Sequence, residues 1–239
     1  MEGLEMETVL PIVIAVVLGL LTLIILKKLI FGGSKGNQVL LTGLSGSGKT
    51  LFWSKLVHDE SPVTVTSQKE NRGSYTNSRN KVLDIVDIPG FDKVRYTVLN
   101  KYRTGCKAII FVIDAVSLQK DIRDAAEYLY NILADDELQR SRPKLQIFCN
   151  KQDIGGAKSP RAVQTLLEKE ITILRETRAS RLIGTSDSGD SSNNNSFLGI
   201  VGKDFEFSDL GKKQGIDFVE GSAVDEGGLN SAKAFIDSL

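Results

Sequence analysis

The sequence predicts an α/β fold, in which a mostly parallel central sheet is covered by helices on both faces and is preceded by one N-terminal transmembrane helix. Short apolar runs alternate along the chain with longer helical stretches, a pattern typical of parallel strands joined by helical crossovers. A glycine-rich turn follows the first of these runs, and an uncharged apolar segment precedes them all. Because such sheets bind ligands at the carboxyl ends of their strands, we expect a binding site at that edge.

The predicted strands are short apolar runs that end close to glycine or polar residues. They are residues 38–42, 82–86, 108–113, 145–149 and 216–219. The predicted helices are residues 49–58, 96–104, 118–138, 160–181 and 229–239. The polar, low-complexity segment 185–196 is expected to be a flexible loop.

The composition limits the class of protein. The chain has 239 residues, with 30 basic and 30 acidic side chains, two cysteines and one histidine. Balanced charge is not typical of proteins that grip nucleic acid through a basic surface, so no direct nucleic-acid partner is expected. Two cysteines, Cys106 and Cys149, are too few for a disulfide framework, and we expect buried thiols in a reducing compartment. A single histidine excludes a zinc site built from a Cys/His cluster.

The segment 9–26 contains 18 residues without a charge. As a helix it would be about 27 Å long, close to the thickness of a thin bilayer core. The alternatives are a cleaved signal peptide and a buried core helix. Three acidic residues precede the segment, whereas a signal peptide begins with basic residues, and the segment lacks the polar face of a surface helix. The sequence therefore predicts an uncleaved transmembrane helix at residues 9–31.

Flanking charges predict the orientation of this span. No Lys or Arg precedes it, whereas Lys27, Lys28 and Lys35 follow its apolar core, and the positive-inside rule places the following side in the cytosol. Residues 1–8 would then be a short tail on the opposite side of the membrane. Residues 32–37 are predicted to be a linker, and residues 38–239 a cytosolic domain.

A glycine-rich turn between the first predicted strand and the first predicted helix matches G-x-x-x-x-G-K-[ST], the P-loop pattern. Its backbone N–H groups, at a helix N-terminus, favour phosphate oxygens. Lys49 is expected to reach the β- and γ-phosphates, and Thr50 to give its hydroxyl to Mg²⁺. The alternative is a glycine-rich turn that binds nothing. The candidate phosphate-binding residues are Gly43, Leu44, Ser45, Gly46, Ser47, Gly48, Lys49, Thr50 and Leu51.

Two further motifs distinguish guanine from adenine nucleotides. Asp87 and Gly90 belong to a D-x-x-G sequence after a predicted strand. Asp87 is expected to hold Mg²⁺ through water, and the Gly90 N–H to contact the γ-phosphate and report which nucleotide is bound. The order and spacing of the motifs predict binding of GTP or GDP with Mg²⁺.

The second motif, N-K-x-D, follows the predicted strand at residues 145–149. Asp153 would accept hydrogen bonds from guanine N1–H and the exocyclic amine, a donor pair that adenine lacks, so a buried Asp153 would be unpaired with ATP. Asn150 opens the motif, and Lys151 is expected to lay its stem along the base. Ser222 and Ala223, after the last strand, are expected to contact the guanine carbonyl through backbone N–H groups.

A threonine from the loop after the first helix is expected to bind Mg²⁺ when the γ-phosphate is present. Both Thr64 and Thr66 fit this position. We prefer Thr66, which joins Thr50 and Asp87 as a candidate metal ligand, and keep Thr64 as the alternative. For either residue taken singly, the competing interpretation is a strand-forming Thr/Val run.

Together, these motifs resemble the P-loop small GTPases of the Arf/Sar branch, in which N-K-Q-D is the usual guanine motif. With the N-terminal span, the T-x-T-S segment and D-x-P-G, nearly the whole chain resembles the family of signal recognition particle receptor beta subunits. That resemblance implies a single-pass protein of the endoplasmic reticulum membrane with a lumenal N-terminus. It also implies a heterodimer with the receptor alpha subunit, bound by GTP-ordered switches, and an indirect link to ribosomes that carry the particle.

Phe91 departs from the pattern of an active GTPase, since most relatives of Ras have glutamine after D-x-x-G to orient the attacking water. Phenylalanine has no hydrogen-bonding group, so we expect weak intrinsic hydrolysis and name no catalytic residue. Arg95 and Arg103 could act as arginine fingers or contact the partner, but we expect them to lie in solvent.

Three hypotheses remain open at this point. The first is a GTP-regulated receptor subunit anchored in the membrane. The second is a vesicle-trafficking GTPase of the Arf/Sar type, and the third is a structural anchor whose nucleotide site has decayed. The intact Lys49, Thr50 and Asp153 disfavour the third hypothesis.

Overall fold

The computed structural model describes residues 36–184, 198–210 and 215–239, together with positions 14, 16 and 22. The chain divides into two compact units, Met1–Gly36 and Asn37–Leu239, and the second is the α/β domain. Apart from the three isolated positions, the predicted span 9–31 lies outside the described residues, as does the predicted loop 185–196. Across the described part, no helix is long and apolar enough to cross a membrane.

Six strands form one sheet in the described part of the domain. The strands are β1 Gln38–Thr42, β2 Asn71–Thr76, β3 Val82–Asp87, β4 Cys106–Asp114, β5 Lys144–Asn150 and β6 Ile216–Glu220. Their order across the sheet is β2-β3-β1-β4-β5-β6. Every neighbouring pair is parallel except β2 with β3, which is antiparallel. The predicted fold class, a mostly parallel α/β sheet, is confirmed.

Helices follow every strand except β2, which a short loop joins to β3. They are α1 Lys49–Val57, α2 Asp92–Tyr102, α3 Leu118–Leu133, α4 Asp136–Ser141, α5 Pro160–Gly184 and α6 Asn230–Asp237, with a short 3₁₀ helix at Phe207–Leu210. Four of the five predicted helices lie within a few residues of these bounds.

Both faces of the sheet are buried, which explains why its strands are continuous apolar runs. Successive residues of β1 enter different clusters: Leu40 packs into one hydrophobic cluster, and Val39 and Leu41 pack into the other. All three side chains are fully buried. A strand with one wet face would alternate polar and apolar residues, so the unbroken runs predicted the two helical layers correctly.

The edge strand β2 was not predicted from the sequence. Its residues, NRGSYT, are mostly polar, and half-buried positions alternate with exposed ones. Gly73 lets α1 pack closely on this strand, because a Cβ there would overlap the Val57 side chain. Because only one face of an edge strand is covered, its sequence has few of the apolar residues by which strands are predicted.

The prediction of one helix over residues 118–138 was wrong, because the chain turns between α3 and α4. Asp135 has an extended backbone (φ −67°, ψ 124°), and its side chain accepts hydrogen bonds from the N–H groups of Glu137 and Leu138. This is the geometry of an N-cap residue, which begins a new helix. Arg103 forms an ion pair with the same carboxylate at 2.5 Å, so it is not simply a solvated side chain.

Arg95 was also expected in solvent, and this expectation was wrong. Its side chain is 8% exposed and pairs with Asp92 at 2.5 Å. The guanidinium lies 4.3 Å from the ring centroid of Tyr128 and 5.0 Å from that of Tyr96. These aromatic rings from α2 and α3 shelter the cation, which is favourable for a guanidinium over a ring face.

Candidate functional site

The predicted site residues meet at the carboxyl edge of the parallel strands. The loops after β1, β3, β5 and β6 carry the P-loop, the D-x-x-G sequence, the N-K-x-D sequence and the pair Ser222–Ala223. Because β1 lies between β3 and β4, and β5 lies between β4 and β6, these loops are neighbours in space. The sheet order thus brings together motifs that are far apart in the sequence.

The P-loop turns tightly between β1 and α1. Gly48 caps α1 with φ 90°, a left-handed conformation that favours glycine. A Cβ at this position would also overlap the amide of Asn150. That amide donates a hydrogen bond to the Ser47 carbonyl at 2.7 Å, so the first residue of N-K-x-D fixes the shape of the P-loop turn.

Lys49 lies beneath the P-loop and is 5% exposed. Its ammonium donates to the Leu44 carbonyl at 2.6 Å and lies 3.4 Å from the Ser47 hydroxyl. Burial lowers the pKa of Lys49 from its ordinary 10.5 to about 8, the carboxylate of Asp87 opposes that shift, and the charge of Arg95 adds to it. A buried cation beside the P-loop turn is suited to an anion such as a phosphate group.

Thr50 and Asp87 form the centre of the candidate metal site. The Thr50 hydroxyl donates to Asp87 Oδ2 at 2.9 Å. Asp87 is 1% exposed, and among the described residues its buried Oδ1 has no hydrogen-bond partner. Burial raises the pKa of this carboxyl group, against hydrogen bonds from Asn71 and Thr50 that lower it. A buried carboxylate oxygen without a partner, beside a hydroxyl, fits the oxygen ligands that Mg²⁺ prefers.

A cavity of about 230 Å³ lies beside Thr50. It is bounded by the P-loop, by the loop that follows α1 and by the residues after Asp87. Thr64 and Thr66 both line it, so the structure brings both candidate threonines to the phosphate side and leaves the choice between them open. The lining residues are Ser45, Gly46, Gly48, Lys49, Thr50, Thr64, Val65, Thr66, Ser67, Ile88, Pro89 and Gly90.

Gly90 lies against the P-loop backbone. A Cβ on this residue would come within 2.5 Å of the Ser45 nitrogen and 2.7 Å of the Leu44 carbonyl carbon. Any residue other than glycine would therefore push the D-x-x-G loop away from the P-loop. This close approach places the Gly90 backbone at the cavity, where it was expected to contact a terminal phosphate.

Two residues of this site were missed from the sequence. The hydroxyls of Ser67 and Thr50 are hydrogen-bonded at 3.0 Å, and the Asn71 amide donates to Asp87 Oδ2 at 2.9 Å. Asn71 is opposite Asp87 in the pairing of β2 with β3. Ser67 is the last residue of the T-x-T-S segment, in which only the threonines were considered as ligands. Asn71 lies on the edge strand β2, which the polar sequence did not predict.

Replacing Asn71 with leucine is expected to weaken Mg²⁺ binding about tenfold, because partners that orient a ligating carboxylate typically contribute that much or more. The measurement is the Mg²⁺ concentration that half-maximally slows GDP release from the full chain. Ser74→Ala, an exposed change on the same strand, is the control. An unchanged Mg²⁺ dependence in Asn71→Leu would show that this amide does not orient Asp87.

The residues predicted to recognise the base are joined by side-chain hydrogen bonds. Asn150 Oδ1 accepts from the Ala223 N–H at 2.9 Å, and the Ser222 hydroxyl donates to Asp153 Oδ1 at 2.7 Å. In the protein alone Asp153 is exposed, so the burial expected when a base is bound stays a prediction. Its carboxylate is nevertheless held in a fixed place by Ser222, with the capacity to accept further donors.

Lys151 completes this group of residues. Its ammonium forms an ion pair with Asp114 at 2.6 Å. Its backbone has φ 67°, a left-handed conformation that is uncommon for residues other than glycine, asparagine and aspartate. The structure thus brings the turn expected to bind an anion, the candidate divalent-cation site and the hydrogen-bonding groups expected to contact a base to one edge of the sheet.

Comparison with known proteins gives matches over most of the chain. A family model described as "Signal recognition particle receptor beta subunit" matches residues 34–214. The human signal recognition particle receptor subunit beta is 40% identical over 218 residues, which cover 90% of this chain and 79% of the human protein.

Solved structures of signal recognition particle receptors are also similar to this chain. A structure described as the mammalian SRP receptor has a TM-score of 0.73 and 33% identity, covering 84% of this chain and 98% of that chain. A Chaetomium thermophilum receptor structure, named SRb-GDP-Mg, has a TM-score of 0.62 and 25% identity, covering 84% of this chain and 96% of that one.

Proposed function

Because this chain belongs to the family of signal recognition particle receptor beta subunits, we propose that it is the GTP-binding subunit that anchors the receptor alpha subunit at the endoplasmic reticulum membrane. Its role would be to receive ribosomes during co-translational protein targeting. The family match favours this function over the alternative, a vesicle-trafficking GTPase of the Arf/Sar type, which would use the same kind of nucleotide site.

The strongest support for a nucleotide site is that the Asn150 side chain joins the P-loop to the loop that contains Ala223. Its amide nitrogen donates to the phosphate-binding turn, and its amide oxygen accepts from the loop of Ala223. One side chain thereby sets the distance between the phosphate-binding residues and the base-binding residues. This supports a ligand with both parts, and the acceptor Asp153 supports guanine as its base.

Mg²⁺ is the proposed cofactor of the bound nucleotide. Thr50 and Asp87 would hold it, and Thr66 or Thr64 would join them when GTP is bound. The ion would neutralise phosphate charge and so tighten nucleotide binding. Support comes from the unpartnered Oδ1 of Asp87 and from the relative whose name includes GDP and Mg.

The surface next to the cavity supports a switch-dependent partner. Val63 is fully exposed, Val65 is 83% exposed, and Phe91 is 47% exposed. These apolar side chains belong to the two loops that contact the site expected to hold the γ-phosphate. Exposed apolar residues on nucleotide-sensitive loops are suited to a protein interface that forms in one nucleotide state. We assign this interface to the alpha subunit.

The membrane anchor is proposed to be residues 9–31, with residues 1–8 in the lumen, residues 32–37 as a linker and the domain in the cytosol. The test is alkaline extraction of membranes that contain the full chain. A span should keep the chain in the pellet, and deletion of residues 1–31 should release it. Release of the full chain would contradict the anchor.

A second experiment tests the nucleotide directly. The full chain, purified in detergent without added nucleotide, should carry GDP or GTP when its bound small molecules are separated by chromatography. Asn150 variants should lose it. Recovery of adenine nucleotides, or affinity for ATP equal to that for GTP, would contradict the proposed function.

Hydrolysis is expected to be slow, at or below the rate of about 3–5 × 10⁻⁴ per second that Ras shows without help. The reason is Phe91, whose exposed ring cannot orient a water molecule. A single-turnover assay on the full chain measures this rate, and Phe91→Ala should leave it within about twofold. A rate near 1 per second, or a large loss in Phe91→Ala, would contradict the expectation.

A further inference from the structure

Asp114, which belongs to none of the sequence motifs, lies beside the base-binding loop. It is the last residue of β4 and is paired in register with Asn150, the last residue of β5. Lys151 is the next residue along the chain. The sheet therefore places the Asp114 carboxylate beside the N-K-x-D sequence, although the two are far apart in sequence.

The two oxygens of this carboxylate have different partners. Oδ2 accepts from the Lys151 ammonium at 2.6 Å. Oδ1 accepts from the N–H groups of Val116 and Ser117, at 2.9 and 3.1 Å. Rotation of the carboxylate would break the two bonds to the backbone, so these bonds fix the point at which the lysine side chain ends.

Lys151 is also held at its other end. Its left-handed backbone is kept in place by a hydrogen bond from the Ile154 N–H to the Lys151 carbonyl, at 3.1 Å. A side chain anchored at the Cα and at the ammonium has few rotamers left. A free lysine is much more mobile, and it would have to be ordered when a ligand binds.

We propose that Asp114 is a positioning residue for guanine recognition, which holds the Lys151 stem as a preformed wall for the base. This inference rests on the proposed function, since it assumes a guanine nucleotide in this site. Asp114 does not touch the nucleotide; it acts through Lys151. Ordering the stem before binding lowers the entropy lost when the base arrives, and so it tightens binding.

The charge of Asp114 suits this role. Burial alone would raise its pKa, but the hydrogen bonds from Lys151 and from the N–H groups of Ser117 and Val116 outweigh burial and lower it. The carboxylate therefore stays ionised near neutral pH, and it holds the lysine in both the free and the nucleotide-bound protein.

A double-mutant cycle on the full chain tests the proposal, with dissociation constants measured for GDP, GTP and inosine diphosphate. Asp114→Asn keeps an oxygen for the two backbone N–H groups but removes the charge that holds Lys151. Lys151→Met keeps most of the stem and removes the ammonium. Each variant should weaken GDP and GTP binding about tenfold and equally, and the double variant should be no weaker than Lys151→Met alone.

The ratio of GDP to inosine diphosphate affinity separates positioning from general damage. Inosine lacks the exocyclic amine from which Asp153 would accept a hydrogen bond. The ratio of the two affinities therefore reports whether that hydrogen bond is intact. It should stay within about twofold in Asp114→Asn, because the Asp153 contact is intact. Asp121→Asn, an exposed acid at the start of α3 that accepts from the Ser117 hydroxyl at 3.2 Å, is the matched control and should bind like the unmodified chain.

The proposal is overturned if Asp114→Asn binds GDP as tightly as Asp121→Asn does, or if the losses of the two single variants multiply in the double variant. A changed GDP to inosine diphosphate ratio would also overturn it. If the unmodified chain binds no guanine nucleotide, the proposed function itself fails. If the unmodified chain and Lys151→Met bind GDP with equal affinity, the positioning role of Asp114 and Lys151 is overturned, while the proposed function stands.

Discussion

Asp153→Asn is expected to lower GTP affinity by about 100-fold or more and to create affinity for xanthosine triphosphate. Guanine offers two donors, N1–H and the exocyclic amine, and the carboxylate can accept both. An asparagine amide would direct one N–H at the amine of guanine and leave it unpaired, and each lost hydrogen bond to a charged group costs about 1.5–3 kcal/mol. Xanthine has a carbonyl in place of the amine, which restores a matched pair.

The Ser222 hydroxyl supports this expectation, because its hydrogen bond to Asp153 Oδ1 would also hold an asparagine oxygen at that place. The measurement is competition of each nucleotide against labelled GDP or labelled xanthosine diphosphate. Asp225→Asn, in the neighbouring loop, makes the same change in charge and should leave both affinities unchanged. Loss of GTP binding without any gain in xanthosine triphosphate binding would mean that Asp153 supports the loop and does not read the base.

Lys49→Met is expected to reduce GTP and GDP affinity by at least about 100-fold, because charge-assisted hydrogen bonds to phosphate are among the strongest in proteins. The nucleotide-free variant should nevertheless unfold at a higher temperature than the unmodified chain. Lys49 is only 5% exposed, and methionine fills a similar volume without the cost of burying a charge. Lys120→Met, an exposed change on α3, should alter neither property.

Because of Lys49, we expect the free energy of unfolding of the nucleotide-free protein to depend on pH. The pKa of Lys49 is lowered to about 8 in the folded state, while the unfolded chain keeps the ordinary value near 10.5. Between these values the unfolded state binds more protons, so this group makes the free energy of unfolding rise with pH. Urea denaturation at pH 7.5 and 9.5 should show a rise from this group that Lys49→Met lacks; an identical pH dependence in both chains would contradict the burial of a charged Lys49.

The motifs were predictable because their chemistry is local. A P-loop needs a strand, a glycine-rich turn and a helix in succession, and residues 38–58 contain all three. The apolar runs likewise located the buried strands, since a strand covered on both faces has few polar residues. The loops predicted to bind phosphate and base could therefore be located from the sequence alone.

The remaining features depend on partners far away in sequence. Asn71 reaches Asp87 from a polar edge strand whose pairing no apolar pattern indicated. Arg95 is buried because Tyr128, on another helix, covers it. Asp114 holds Lys151 through the register of two strands, and Asp135 stops a helix whose apolar pattern runs on. In each case the residue type alone is equally compatible with a position in solvent, and contacts with residues distant in sequence decide its role.

Nucleotide-dependent capture of the alpha subunit tests the central claim most directly. The full chain, in detergent or reconstituted in liposomes, would be loaded with GTP or GDP in the presence of Mg²⁺ and titrated with purified receptor alpha subunit. We expect saturable binding to the GTP-loaded chain that is at least about tenfold tighter than binding to the GDP-loaded chain, a typical size for such coupling. Equal affinity in the two states, or no binding to the GTP-loaded chain, would contradict it.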